Sequence, residues 1–305
     1  MDEQSHFAVP RKQGAKTPMK LLFGYGYLGS RIAAKWRHAG DEVAVVTRST
    51  EKATRLHNAG FKAIVADVTD PQTLNRLPGA ETVVYAVGFA RPSSQSIRAV
   101  YEGGVCNVLA ALPVDTARFI YISTTGVYGG ANGAWIDETT PPDPQRAGGE
   151  AALAAEHQLQ KHSLGKKGII LRLAGIYGPG RIPFQNQLQA GEPIAAPTDG
   201  YLNLIHVDDA ADCVLATENL SLPRSVPQLF CISDGKPVIR QEFYVEAARQ
   251  MHAPAPVFKT PDPNSPRTAR AASNKRVHNA RMLAVLRVHL NYTSHTEGLH
   301  AIFRS

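Results

Sequence analysis

The sequence predicts an α/β protein built on a doubly wound parallel sheet, with a small C-terminal lobe beside it. Two observations carry this. Short, almost wholly apolar runs recur between amphipathic stretches, and the first run leads directly into a glycine-rich turn that opens a helix. Strands covered on both faces by helices lose the polar alternation of a half-exposed strand, which is the pattern seen here. The apolar runs are 20–23, 43–47, 63–66, 82–86, 119–122, 169–173 and 229–232. The helical stretches between them are 27–39, 51–58, 71–76, 95–111, 147–164 and 207–219.

The chain has 305 residues, 43% hydrophobic and 19% charged, enough apolar side chains for one large α/β core. No run approaches the 18 or more apolar residues of a membrane span. Residues 1–18 are polar and aperiodic and are expected to form a disordered tail, with Met19 an alternative start of translation. The three cysteines, Cys106, Cys213 and Cys231, are widely spaced. They suit a reducing, cytoplasmic setting better than a disulfide framework or a zinc site. The expected division is a dinucleotide-binding domain over 19–175, to which 203–235 returns, and a substrate-binding lobe over 176–202 and 236–305. The lobe is marked by Gly, Pro and Gln over 174–205 and by five prolines over 253–266.

The turn after the first strand reads Gly24-Tyr25-Gly26-Tyr27-Leu28-Gly29. In a G-x-G-x-x-G turn the first glycine permits the tight bend and the second lets main chain approach a pyrophosphate. The third lets helix and strand close up, and the helix start favours the phosphate charge. The context, strand before and helix after, supports dinucleotide binding. An NAD site commonly ends the second strand with an acid for the adenosine ribose. Here 43–49 ends in Thr47-Arg48-Ser49. A guanidinium suits a 2′-phosphate where a carboxylate would repel it. NADP(H) is therefore the expected cofactor and NAD the lesser alternative, unless Arg48 is only a solvated loop cation.

Several further segments, in order, resemble those of the extended short-chain dehydrogenases/reductases, the NAD(P)-dependent epimerase/dehydratase family. They are Asp67-Val68, the stretch 85–88 ending Ala86-Val87-Gly88, and Ser123-Thr124-Thr125-Gly126-Val127-Tyr128-Gly129. They continue with Leu171-Arg172 through Ile176-Tyr177-Gly178-Pro179-Gly180-Arg181, and with Ile205-His206-Val207-Asp208-Asp209. The resemblance implies that Asp67 and Val68 meet the adenine and that Ala86, Val87 and Gly88 line the cofactor. It also implies a hydroxyl at Thr124 that pairs with a substrate oxygen. It further implies a small-molecule substrate and a possible homodimer through 95–111 and 147–164.

One departure matters for chemistry. The family's tyrosine, four residues before a lysine on the helix after the Val-Tyr-Gly loop, is missing. The segment 144–156 places Arg146 at the tyrosine and Glu150 at the lysine. This resembles the family's atypical branch, as does Ser273-Asn274-Lys275-Arg276 near the C-terminus. Two readings remain, an oxidoreductase or epimerase with substituted groups and a non-catalytic NADP(H)-binding sensor or scaffold. Tyr128 and Tyr177 are candidate phenols, activated by Arg146 in the first reading or merely packing the cleft wall in the second. Thr125 and Gly126 stand where the family's dehydratases carry an acidic pair, so sugar dehydration is not expected.

The net charge of +7 concentrates over 263–296, a span without an acid that holds Arg267, Arg270, Lys275, Arg276, Arg281 and Arg287. It could hold a diphosphate, touch the cofactor edge, or be a solvated face. No interleaved aromatics or recognition motif point to nucleic acid. The candidate substrate contacts are Ser123, Arg181, Lys275 and Arg276. His206, Asp208 and Asp209 suggest helix N-capping by an aspartate rather than a metal site.

Overall fold

The structure is a computed structural model that describes residues 19–89, 93–221, 225–265, 268–269 and 272–304. The expected tail, together with Arg267 and Arg270, lies outside the described residues.

Seven parallel strands form the central sheet: β1 (Met19–Phe23), β2 (Glu42–Thr47), β3 (Lys62–Val65), β4 (Thr82–Tyr85), β5 (Arg118–Thr124), β6 (Gly168–Leu173) and β7 (Gln228–Ile232). Their spatial order is β7-β6-β5-β4-β1-β2-β3. The order reverses between β1 and β4, and such a switch point opens a crevice beyond the strands' C-terminal ends. Every apolar run named from the sequence falls on one of these strands.

Side chains alternate across the sheet and fill two cores. Leu22, Val45, Val84, Ile120 and Leu171 face α1 (Tyr27–His38), which presents Ile32 and Trp36 at helical spacing, and α5 (Val207–Ala216). Leu21, Phe23, Val83, Phe119 and Ile170 face α3 (Gly104–Ala111) and α4 (Ala147–Lys161). The helical stretch expected over 95–111 contains a π-helical turn at Ala99–Gly103 ahead of α3. Gly104 lets this helix close on the sheet, since a Cβ there would stand 2.2 Å from the Tyr85 hydroxyl. α2 (Thr50–Asn58) is capped by Ser49, whose side chain accepts from Lys52 N.

A third core gathers Ile182, Leu188, Ile194 and Leu204 with Phe243 and Ala247 of α6 (Arg240–Gln250) and with Leu299 of α8 (His295–Arg304). It forms the lobe over the crevice. The helix between them, α7 (Ala280–Leu286), behaves differently from the expected lobe. Its Met282 and Leu286, followed by Leu290, pack into the α1/α5 core. A small parallel pair, Trp135–Ile136 with Arg276–Val277, clips the segment after β5 to the C-terminal region. Among the described residues no helix is long and apolar enough to cross a membrane.

Beneath the crevice lies a buried ion pair. Arg172 of β6 forks onto Glu156 of α4, Nη2 to Oε2 at 2.5 Å and Nε to Oε1 at 3.0 Å. Ser123 donates to the same carboxylate at 2.5 Å, and Arg172 Nη1 donates to the Tyr128 hydroxyl at 2.7 Å. Burial opposes the charge on Arg172, but the Glu156 hydrogen bonds and charge outweigh it and raise its pKa. Breaking one side of such a pair strands a buried charge. Glu156→Gln is therefore expected to destabilise the fold by about 3–5 kcal/mol, checked by urea unfolding. A loss below about 1 kcal/mol would show that the network is not needed.

Candidate active site

The crevice has a volume of about 950 Å³ and is bounded by the glycine-rich turn, the ends of β4, β5 and β6, and the lobe. Each glycine of the turn has a distinct geometry. Gly24 has φ +96°, and a Cβ on it would stand 2.4 Å from the Ala86 carbonyl oxygen. A Cβ on Gly29 would stand 2.0 Å from the Gly24 carbonyl oxygen. Gly26, which caps α1 without a side-chain hydrogen bond, would meet nothing within 4 Å. Two glycines are thus required by packing, and the third exposes main chain to open space at a helix start. This is the arrangement a dinucleotide pyrophosphate needs, so the residues present fit that cofactor.

Tyr27 and Leu28 begin α1 and line the crevice with Ala86, Val87 and Gly88. Tyr27 donates its hydroxyl to the Pro179 carbonyl at 3.0 Å, linking the turn to the loop after β6. The Arg31 and Arg181 guanidinium carbons lie 4.5 and 5.0 Å from the centre of its ring. At the adenosine end, Arg48 is 59% exposed, with Nη1 3.9 Å from Asp67 Oδ2. Asp67 accepts from Thr69 N and Oγ1. Val68 buries its side chain against Gly104, so it offers main chain only. Sequence reasoning missed Lys52, whose Nζ donates to the Tyr25 carbonyl at 2.5 Å beside the turn. The signal was available: Ser49 caps α2 directly after Arg48, and Lys52 lies in the helix's first turn.

Thr124 ends β5 on the crevice wall, and its Oγ1 accepts from Gly126 N at 3.0 Å. That bond uses a lone pair, so the hydroxyl proton is available to a substrate oxygen. Arg146 N-caps α4 and lines the same wall. Its Nη2 and Thr124 Oγ1 each stand 3.2 Å from the place a Cβ on Gly126 would occupy.

Both candidate phenols are turned away. Tyr128 donates to the Asp137 carbonyl at 2.7 Å, receives Arg172, and lies 3.3 Å from Cys231 Sγ. Burial, then the neighbouring Cys231, drives its pKa up. Tyr177 contributes to the crevice wall but donates to the Ser294 carbonyl at 3.3 Å, against Gly298 of α8. Burial, then the Asp234 charge, likewise pushes its pKa up. The Tyr128 ring packs in a small core beside the crevice, and the Tyr177 ring lines the crevice while its hydroxyl is engaged by Ser294.

The candidate substrate contacts divide too. Ser123 spends its hydroxyl on Glu156. Arg181 and Lys275 line the crevice. Arg276 does not: its guanidinium is sandwiched 5.0 Å from the Trp135 ring centre and 5.1 Å from that of Tyr201, and Nε donates to the Gly133 carbonyl. Neighbours on an extended strand point to opposite sides, so Lys275 and Arg276 cannot both face the crevice. Arg281 and Arg287 also lie off it, Arg281 donating to the Leu229 carbonyl at the sheet edge. The cap of α5 is His206, whose Nδ1 accepts from Asp208 N at 3.3 Å, rather than an aspartate. Asp208 pairs with Arg31, and Asp209 accepts from Asn291 and Tyr292 main chain. Among the described residues no group of His, Cys, Asp or Glu could hold a metal ion. Tyr101, Tyr201 and Arg240, which carry no sequence motif, also line the crevice.

The glycine geometry makes a paired prediction. Gly26→Ala is expected to leave thermal unfolding nearly unchanged while weakening dinucleotide binding at least about tenfold, since its methyl fills the phosphate approach. Gly29→Ala is expected to cost about 3 kcal/mol through overlap with the Gly24 carbonyl. Melting curves and calorimetric titration of both variants check this. Equal behaviour would refute the assignment.

A family model described as NAD dependent epimerase/dehydratase family matches residues 21–222. Protein YeeZ of Escherichia coli K12 is 30% identical over 247 residues, spanning 78% of this chain and 85% of that protein. A functionally unknown conserved protein from Silicibacter pomeroyi superposes with a TM-score of 0.74 at 27% identity, covering 94% of this chain and 98% of that one. The UDP-glucose 4-epimerase of Thermotoga maritima superposes with a TM-score of 0.75 at 19% identity over 94% and 97% of the chains, which shows a shared fold. With its seven-stranded parallel sheet, glycine-rich turn and crevice at the switch point, the chain belongs to the NAD-dependent epimerase/dehydratase family of extended short-chain dehydrogenases/reductases.

Proposed function

We propose that this protein is an NADP(H)-dependent oxidoreductase or epimerase acting on a carbonyl- or hydroxyl-bearing substrate. The observation that carries it is the meeting, in one crevice, of an open phosphate turn at Gly26 with the Thr124 hydroxyl and the Arg146 guanidinium. The nicotinamide, when bound, supplies or accepts the hydride. The Thr124 hydroxyl donates a hydrogen bond to the substrate oxygen, keeping its own proton, and Arg146 stabilises negative charge developing there. With no phenol positioned, Arg146 acts by charge rather than by proton exchange, since a guanidinium stays protonated at any working pH. Proton exchange then falls to solvent.

Arg48 and Lys52 support NADP(H) over NAD: both are cations at the ribose end, and no acid ends β2. A homodimer through the 95–111 and 147–164 helices and a cytoplasmic location belong to the same proposal. The UDP-glucose and UDP-glucuronic acid epimerases that share the fold suggest a nucleotide-sugar-like substrate as one class. A second reading, NADP(H) binding without turnover, draws support from the diverted hydroxyls of Tyr128 and Tyr177.

The test is NADPH oxidation over a panel of aldehydes, ketones and keto-sugars. Thr124→Ala is expected to lower turnover about 100-fold, and Thr124→Ser to restore most of it. If no panel member is reduced, or if Thr124→Ala retains full rate, the enzymatic reading fails and the binding-only reading stands.

A further inference from the structure

The crevice has two unlike sides. The sheet side carries the glycine-rich turn, Thr124 and Arg146. The lobe side is the third core turned outward: Ile182, Phe184, Leu202, Leu204 and Tyr244 belong to that core and also line the crevice. Ile182, Leu204 and Tyr244 are buried, whereas Phe184 and Leu202 are only half-buried. Apolar surface left at a cavity wall gains when a ligand of like character covers it.

Phe184 holds an unusual backbone. Its φ of +59° and ψ of +20° lie in the left-handed region, where a bulky side chain is strained. A glycine or an asparagine would make this turn with less strain. The phenylalanine ring instead meets Tyr244 edge to face, with centroids 5.7 Å apart and planes at 72°. Tyr244 meets Phe243 in the same way at 5.6 Å. The strained turn therefore keeps an aromatic ring at the crevice wall, backed by two more.

The polar side chains of the crevice do not suit a hydroxyl-rich ligand. Among the described lining residues there is no carboxylate, and the one carboxamide is Asn203. Both its ends are in use: Nδ2 donates to the Lys275 carbonyl at 2.9 Å, and Oδ1 accepts from Val277 N at 2.7 Å. Lys275 Nζ is held by the Tyr128 and Gly129 carbonyls and by Ser273 Oγ. Arg240 donates to the Tyr201 carbonyl, and Arg181 lies over the Tyr27 ring at the pyrophosphate end. A sugar ring placed here finds neither a carboxylate nor a free carboxamide for its hydroxyls, and each hydroxyl desolvated without a partner weakens binding.

Resting on the reading of this crevice as a dinucleotide-dependent active site, we propose that Ile182, Phe184, Leu202, Leu204 and Tyr244 form an aryl-binding specificity pocket. The substrate is then an aryl-bearing ketone or carbinol rather than a nucleotide-linked sugar. Its oxygen goes to Thr124 and Arg146, and its ring goes to the lobe wall, where Phe184 sets the preference through ring-to-ring contact.

The experiment is calorimetric titration of the full chain with acetonaphthone, benzylacetone, acetone and UDP-glucose, each with and without saturating NADPH. At least one of the two aryl ketones is expected to bind with a Kd near or below about 1 mM, more tightly than acetone or UDP-glucose. Phe184→Ala is expected to weaken that binding at least about tenfold, with Phe184→Leu between it and the wild type. Should Phe184→Ala fail to fold, Leu202→Gln takes its place, because it makes a half-buried wall position polar at similar size, and the same loss is expected. Absence of aryl-ketone binding, tighter binding of acetone or UDP-glucose, or unchanged binding in a folded variant would each overturn the pocket. Aryl-ketone binding while NADPH fails to bind supports the pocket and sinks only the cofactor reading. NADPH binding with no aryl-ketone binding sinks the pocket alone.

Discussion

The site depends on the Arg172–Glu156 pair below the crevice floor. It joins β6 to α4 and, through Ser123 and Tyr128, fixes both ends of the loop leaving β5. An ion pair removed from water is weak evidence of net stability but strong evidence of register, because any other arrangement strands a charge. Here the register it sets aims the Thr124 hydroxyl and the Arg146 cap into the crevice. The same network takes the Tyr128 hydroxyl out of it. Tyr128, a candidate phenol by its motif, is held from two sides by a guanidinium and a main-chain carbonyl.

The glycine-rich turn adds a second constraint, tighter in packing. Gly24 and Gly29 are dictated by contacts with Ala86 and with each other, and would be needed even without a ligand. Gly26 alone has no neighbour to explain it, which is why the turn reads as a binding device rather than a packing one. The helix it opens is anchored in turn by Ile32 and Trp36 in the α1/α5 core. The phosphate position is therefore as rigid as the sheet.

Much of this was legible in the sequence, and the limits have physical causes. Most of the seven strands could be read because they are buried on both faces, leaving runs with little polar content, while the edge strand β3 is only half-buried and was read from its apolar residues alone. The glycine motif could be read because backbone geometry restricts residue choice. Residues acting through side-chain direction were harder. Tyr177 and Tyr128 sit on the expected loops, yet their hydroxyls turn toward Ser294 and Arg172, partners distant in sequence. Lys275 and Arg276 are adjacent in one basic segment, and only the pleat decides which one faces the crevice. Arg240, Tyr101 and Tyr201 belong to no motif and enter the site through the lobe packing and a π-helical turn. The His206 cap was hidden by the two aspartates after it, one of which bonds Arg31 while the other holds the 291–292 main chain.

We propose that this crevice is a phosphate-binding dinucleotide site whose ribose end carries cations where an acid would select NAD. Calorimetric titration of the purified chain with NADPH and, separately, with NADH tests it most directly. NADPH is expected to bind at least about tenfold tighter than NADH, through charge-assisted hydrogen bonds to the 2′-phosphate. Equal or tighter NADH binding would make Arg48 and Lys52 bystanders, and no binding of either would contradict the claim outright.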